Sequence, residues 1–425
     1  MQLYPWKGPF RARVQPPGDK SITHRAVLLS AMTVGDTEIF DPLDSLDTRA
    51  SVNLVQSLGV ELRESTTNRW VLRSPGYDNL KEPDDVVSCA NSGTTMRLAT
   101  GLLAGLNGLV ILTGDNSLRE RPMARVIDPL RALGVSITGR GGGRAPMAIR
   151  GGSHRGGQVT LAVASAQVKS ALLLAGLTAS EPLTIEENLP TRDHTERFLQ
   201  AMGADLSREG TRITVKPGRL EAYPVAVPGD PSSAAFWAAL AAIVPDSELV
   251  IEHVSLNPGR IGFYQVLERM GASIEYSVTQ PKPDPVGDIV VRWSPLKGTT
   301  VSASQVPGLI DELPLVALLG AFAQGTTEVR GAAELRFKES DRIASTVANL
   351  NQLGVRIEEF PDGFAIMGKQ TLQGGLVDAG GDHRIAMMLA VAAAAGTGAV
   401  DLIGTEAIAI SYPQFFSDYL SWASV

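Results

Sequence analysis

LVQSLGV at residues 54–60 runs an apolar helix tail into a glycine and then a β-branched residue, the pattern of a helix that stops and feeds a strand. The same junction returns as PLRALGV at 129–135, FLQAMGA at 198–204, VLERMGA at 266–272 and NLNQLGV at 349–355. Five copies mark an internal repeat.

Working outward, each junction is followed by a pair of short alternating segments, such as VELRE and RWVLRS, or ASIEYS and DIVVRW, whose period of two requires strands. Before each junction lie a small, polar tip opening a strongly apolar helix, a strand, and an amphipathic helix. The unit reads as β-α-β-α-β-β. Its tips start near Lys20, Asn91, Ser165, Asp230, Ile310 and Asp382, so six units fill the chain. The sixth lacks its closing strand pair, and a spare strand-like segment precedes Lys20, so the N-terminal arm is expected to complete the C-terminal half. The fold class is therefore α/β (α+β), two similar domains of three repeats each. The expected domains are 17–227, and 228–425 with the arm 1–16. Pro16-Pro17-Gly18 and Val227-Pro228-Gly229 mark the two crossings, as Pro-Gly connectors do. Two halves joined by two adjacent segments suit a clamp; a rigid repeat protein with one binding face is the alternative.

Composition narrows the function. The 425 residues are 44% hydrophobic and 20% charged with a net charge of −7 and no long run of like charge, so no nucleic-acid partner held by a basic face is expected. The single cysteine, Cys89, excludes an intramolecular disulfide framework and a thiolate metal cluster, and a reducing compartment fits. The first residues contain no apolar signal region, and the greasiest stretches, Ile385 to Val400 and Ser233 to Val244, are shorter than the roughly 18 residues of a membrane span. A cytoplasmic protein without a membrane partner is expected. The five histidines show no HxH or HExxH spacing, and no metal is expected. Walker A, strand-linked GxGxxG and GxSxG sequences do not occur. The glycine run at 139–143 reads as a hairpin loop.

The apolar helices open with GDKSITHR, NSGTTMR, SAQVKS, GDPSS, IDELP and GGDHR. Such openings turn unpaired N–H groups and the positive end of the helix dipole toward a ligand. Lys20, Arg25, Arg97 and Arg384 add cations there, while Arg121, Arg192, Arg260, Lys338 and Arg342 stand where the amphipathic helices open. One arginine at a helix start is ordinary ion pairing or capping. A set of them, in a net-acidic chain, points to a small polyanion, which guanidinium groups grip bidentately. Asp311 in LIDELP and Glu339 in FKESDR are the acid–base candidates; each could equally be a cap or an ion-pair partner. His24 and His383 sit beside Lys20 and Arg384 and suit supporting hydrogen bonds.

PGDKSITHRA, ANSGTTMR, GDNSLRERPM, SAQVKSALLLAGL, RDHTERF, PGDPSSAAFW, LIDELP, LRFKESDRIA and GGDHRIAM together resemble, in order and spacing, the 5-enolpyruvylshikimate-3-phosphate synthase family. The likeness covers essentially the whole chain. It implies an enolpyruvyl transferase fold and transfer of the enolpyruvyl group of phosphoenolpyruvate to the 5-hydroxyl of shikimate 3-phosphate, releasing phosphate, in aromatic amino acid biosynthesis. No cofactor is implied, and a monomer is expected. By motif, Lys20, Ser21, Arg25, Ser165, Gln167, Arg192, Asp311 and Lys338 would bind shikimate 3-phosphate. Lys20, Gly93, Arg121, Gln167, Arg342 and Arg384 would bind phosphoenolpyruvate. Asp311 resembles the base and Glu339 the acid, with Lys20 as a third catalytic group. Family members are inhibited by glyphosate.

Ala166, Glu334, Thr23 and Ile410 depart from the best-known subgroup, which has Ser, Asn, Ser and a phosphate-contacting Lys there; SAQVKSALLLAGL and AISYP instead resemble a second bacterial subgroup. Whether Lys169 replaces the missing cation is a question for the structure. The rival assignments are the sister enzyme acting on UDP-N-acetylglucosamine, whose loop cysteine Cys89 does not match, and a non-catalytic polyanion-binding clamp.

Overall fold

The computed structural model describes residues 1–423; Ser424 and Val425, where the expected C-terminal boundary falls, lie outside the described residues. The chain divides into two compact units, Gly18–Val227, and Met1–Pro17 with Pro228–Val425.

In the first unit the helices are α1 (Lys20–Ser30) and α2 (Leu46–Ser57), then α3 (Gly93–Leu102), the short α4 (Asn116–Glu120) and α5 (Ala124–Ala132), then α6 (Ala166–Gly176) and α7 (His194–Ala201). The second unit carries α8 (Pro231–Ile243) and α9 (Gly262–Arg269), α10 (Leu313–Phe322) and α11 (Arg342–Gln352), and α12 (His383–Ala395) and α13 (Phe415–Ala423). Two details differ from the sequence expectation. Within GDNSLRERPM, NSLRE forms a separate short helix, capped by Asp115, and the amphipathic helix begins only at Ala124, after Arg121. IDELP opens with a 3-10 turn, Ile310–Glu312, and α10 has no side-chain cap, unlike the other five apolar helices, which Asp19, Ser92, Ser165, Asp230 and Asp382 cap.

Each repeat builds one small sheet. In the third, Gly157–Thr160 lies parallel to Leu183–Glu186, which pairs antiparallel with Arg212–Val215, and that strand with Leu206–Glu209. A parallel pair joined through a helix followed by an antiparallel hairpin is the β-α-β-α-β-β grammar in three dimensions. Three sheets of the six follow chain order, two trade their leading strand, and one is completed by the N-terminal strand. Arg11–Val14, just before α1, lies parallel to Glu248–Ser255 of the fourth repeat, and Val225–Ala226, just before α8, lies parallel to Val34–Phe40 of the first. The sixth sheet has three strands, with Gln2–Leu3 antiparallel to Val400–Ile403.

The apolar helices form the cores. Every residue of α8 is buried, and α12 buries all but its last. The amphipathic helices cover them with one face: α9 buries Phe263, Tyr264, Val266 and Leu267 and leaves Glu268 and Arg269 outside. Close packing at the centre of the first unit depends on glycine. A Cβ on Gly101 of α3 would lie 1.8 Å from the carbonyl oxygen of Ala171 on α6, so only a hydrogen fits between these helices. No helix among the described residues is long and apolar enough to cross a membrane.

Candidate active site

In the Gly18–Val227 unit, the helix starts expected to bind anions carry charged side chains held by neighbours. Asp19 caps α1 by accepting from the Ile22 N–H, which leaves Lys20 on the first turn, its ammonium 3.0 Å from Asp47 Oδ2. Arg25, one turn on and buried, donates from Nε to Thr195 Oγ1 (2.7 Å), from Nη2 to Ser170 Oγ (2.9 Å) and from Nη1 to the Ser21 carbonyl (2.9 Å). Those hydroxyls are themselves 2.7 Å apart. Behind them His24 is fully buried with Nδ1 2.8 Å from Ser51 Oγ. Burial, reinforced by the charges of Lys20 and Arg25, pushes its pKa well below the ordinary histidine value, so it is neutral.

At α3, Ser92 caps the helix through the Thr95 N–H and Gly93 forms its first residue. A Cβ there would meet Arg97 Nη1 at 3.1 Å and Arg121 Nη1 at 3.2 Å, so two guanidinium groups stand over this glycine. Arg121 is oriented by Asn91 Oδ1 (2.7 Å). Arg97 donates to Gln167 Oε1 (2.6 Å), and Gln167 Nε2 donates to Thr94 Oγ1 (2.9 Å), which ties the start of α6 to the start of α3. Ser165 caps α6 through the Val168 N–H. Arg192 is half-buried in the segment leading into α7.

In the other unit one buried guanidinium collects three carboxylates. Arg342 Nη1 donates to Asp311 Oδ1 (3.1 Å), Nη2 to Glu339 Oε2 (2.6 Å) and Nε to Asp382 Oδ2 (2.8 Å). Lys338 adds a second cation to Asp311 at 3.2 Å. Burial opposes the charge on Arg342, yet Asp382, Glu339 and Asp311 together raise its pKa above the ordinary value. Burial likewise opposes the charge on Asp382, and Arg342 outweighs it, holding that carboxyl below the usual range. Arg384 Nη1 reaches Glu312 Oε1 at 3.3 Å. Neither Asp311 nor Glu339 is a cap: Asp311 lies in the 3-10 turn, and α11 is capped by Asp341. Both candidates are thus held to the same side chain, within reach of a proton transfer on a ligand seated there.

The structure brings Asp311, Lys338, Glu339 and Arg342 into one cluster, and Gly93, Arg121 and Gln167 into another. Sequence reading missed Asp47, Thr94, Ser170, Thr195, Glu312 and Asp382, and left Arg97 without an assignment. Thr94, Ser170, Thr195, Glu312 and Asp382 lie inside motifs quoted above, but their partners are identified only by contacts across many residues. The question over Lys169 is answered by its partners, Glu187 and Glu196, with which it is fully buried. Ile410 ends a 3-10 turn, Thr405–Ile410. Thr23 turns its hydroxyl to the Asp19 carbonyl and accepts from the Leu43 N–H. Cys89 is buried, and burial pushes its thiol up to about 12, unsuited to acid catalysis.

The chain has the enolpyruvyl transferase fold. It matches the enolpyruvyl transferase NikO from Streptomyces tendae with a TM-score of 0.79 over 99% of this chain and 96% of that one, at 17% identity, a likeness of fold alone. The family model for EPSP synthase (3-phosphoshikimate 1-carboxyvinyltransferase) matches residues 6–419, and the chain belongs to that family. A 3-phosphoshikimate 1-carboxyvinyltransferase from Chloroflexus aggregans is 48% identical over 414 residues, 96% of this chain and 95% of the relative. The EPSP synthase structure from Acinetobacter baumannii matches with a TM-score of 0.87 at 37% identity, covering 99% of this chain and 97% of that one.

Proposed function

We propose a residue-level division of labour for 3-phosphoshikimate 1-carboxyvinyltransferase activity, which the chain carries as a member of this family. Shikimate 3-phosphate is bound by Lys20, Ser21, Arg25, Ser165, Gln167, Arg192, Asp311 and Lys338. Phosphoenolpyruvate is bound by Lys20, Gly93, Arg121, Gln167, Arg342 and Arg384. Asp311 takes the proton of the 5-hydroxyl as that oxygen bonds to C2 of phosphoenolpyruvate, while Glu339 protonates the methylene carbon C3. The product of addition is a tetrahedral phosphoketal. Elimination breaks the C2–O bond to phosphate, a C3 proton returns to Glu339, Asp311 gives the hydroxyl proton to the departing phosphate oxygen, and the cations stabilise that phosphate. Glu339 must be protonated to act, and it lies 2.6 Å from Nη2 of Arg342, the guanidinium to which the phosphoenolpyruvate anion is assigned.

The observation that carries this reading is the pair of carboxylates, Asp311 and Glu339, on the single guanidinium of Arg342. It is tested by release of phosphate from phosphoenolpyruvate in the presence of shikimate 3-phosphate. Asp311→Asn retains shape and is expected to lose on the order of 10²-fold or more in kcat. A loss below about tenfold makes Asp311 a ligand-positioning residue. Release with UDP-N-acetylglucosamine instead would assign the sister reaction. The enzyme is further assigned to the cytoplasm as a monomer, for which sedimentation is the test.

A further inference from the structure

Among the described residues, Lys169 carries a fully buried ammonium that the proposed roles leave unused. It stands on α6 with its side chain entirely shielded, Nζ 3.1 Å from Glu187 Oε1, 2.7 Å from Glu196 Oε1 and 3.3 Å from the Thr191 carbonyl. Glu187, just beyond the Leu183–Glu186 strand, accepts from both the backbone N–H and the hydroxyl of Thr191. Arg208, from the Leu206–Glu209 strand, closes the cluster from its solvent side, with Nη2 3.2 Å from Glu187 Oε2 and Nη1 3.3 Å from Glu196 Oε1. Two acids and two bases balance. Glu196 Oε2 nevertheless stays buried without a hydrogen-bond partner. Packed apolar side chains of similar volume would hold such a space at least as well as buried charges, so stability alone is a poor reason for the cluster.

Its neighbours supply a better one. Lys169 precedes Ser170, and Glu196 follows Thr195, the two hydroxyls that hold Arg25. The Lys169–Glu196 pair therefore ties α6 to α7 beside both of them. The bonds to Thr191 lock the residue immediately before Arg192 from both its carbonyl and its N–H. We propose that Lys169, with Glu187 and Glu196, is a positioning device that sets Arg25 and Arg192 for shikimate 3-phosphate. The inference rests on the assignment of those two arginines to that substrate. Buried partners that orient ligating groups typically change affinity by about 10–100-fold when removed, as outer-shell residues do at metal sites.

The test separates geometry from stability. Lys169→Met is expected to raise the KM for shikimate 3-phosphate by about tenfold or more, with the KM for phosphoenolpyruvate changing by less than about twofold. Thr191→Val leaves all four charges in place and removes only the hydroxyl tether; it is expected to raise the same KM about threefold with a smaller loss in melting temperature than Lys169→Met. In an Arg192→Ala background Thr191→Val should add nothing, because its effect runs through that arginine. If Lys169→Met does not fold, Thr191→Val decides. Folded variants with an unaltered KM for shikimate 3-phosphate, or with both KM values rising in parallel, overturn the proposal. An Arg192→Ala protein with normal KM overturns instead the assignment on which it rests.

Discussion

Gly93 has two guanidinium nitrogens just above 3 Å from where a Cβ would sit, those of Arg97 and Arg121. A methyl there must displace at least one of them by a few tenths of an ångström, and it occupies the face a ligand would use. Gly93→Ala is therefore expected to raise the KM for phosphoenolpyruvate on the order of tenfold, and to weaken glyphosate, a longer ligand, by a larger factor. Inhibition and Michaelis constants measured on both proteins check it; equal factors would show that the methyl does not discriminate by length. His24 makes a different kind of prediction. Its folded pKa lies below the unfolded value of 6.5, so beneath that pH the unfolded chain binds a proton that the folded one refuses. The stability that a neutral His24 contributes is complete above 6.5 and is lost as the pH falls toward the lowered folded value. Unfolding free energy should decline by up to about 1.4 kcal/mol per pH unit from this group alone. Denaturant titrations at successive pH values should show a shallower decline in His24→Gln.

Among the elements, the contact of α3 with α6 couples packing to the site. Gly101 permits the approach, with a Cβ position 2.6 Å from Ala171 Cα, and the same two helices share the Arg97–Gln167–Thr94 bonds at their starts. Gly101→Ala cannot be absorbed by a rotamer change because the obstacle is backbone. It should cost about 1–3 kcal/mol or more, through separation of the helices. Since Gln167 then moves from Arg97, the KM for phosphoenolpyruvate should rise along with the loss in melting temperature. Thermal unfolding and steady-state kinetics on the same preparation test the coupling; a drop in stability with unaltered KM would uncouple the two.

For the whole molecule, the consequential feature is that the N-terminal arm belongs to the unit that contains the C-terminus. Arg11–Val14 forms the edge strand beside Glu248–Ile251, and the Phe10 N–H donates to Ser247 Oγ at 2.6 Å. The Phe10 ring lies 5.5 Å from Trp6, 5.4 Å from Trp422 and 6.3 Å from Trp237, so one residue of the arm packs among rings of α8 and α13. Phe10→Ala should cost about 3–5 kcal/mol. Hydrogen exchange should accelerate in Glu248–Ser255 and α8 while the sheets of Gly18–Val227, which have their own core, keep their protection. Uniform acceleration through the chain would mean that the two cores unfold together.

The features legible in the order of residues are local. The LVQSLGV junctions, the apolar helices and five of their caps depend on residues within a few positions of one another, where periodicity and hydrogen-bond reach act directly. Six repeats, their order, and most cations at helix starts were legible for that reason. The tertiary structure decided which charges meet. Asp47 reaches Lys20 over 27 positions, Asp382 reaches Arg342 over 40 and Gln167 reaches Arg97 over 70, distances at which no pattern in the chain constrains pairing. The expected bounds put the arm 1–16 with the C-terminal half and Val225–Ala226 with the N-terminal one; which sheet each strand joins was hidden, since two short strands with matching edges differ in partner, not in composition. Lys169 shows both limits at once: its charge was plain in SAQVKS, but whether that charge faced a ligand or two buried glutamates was settled by packing.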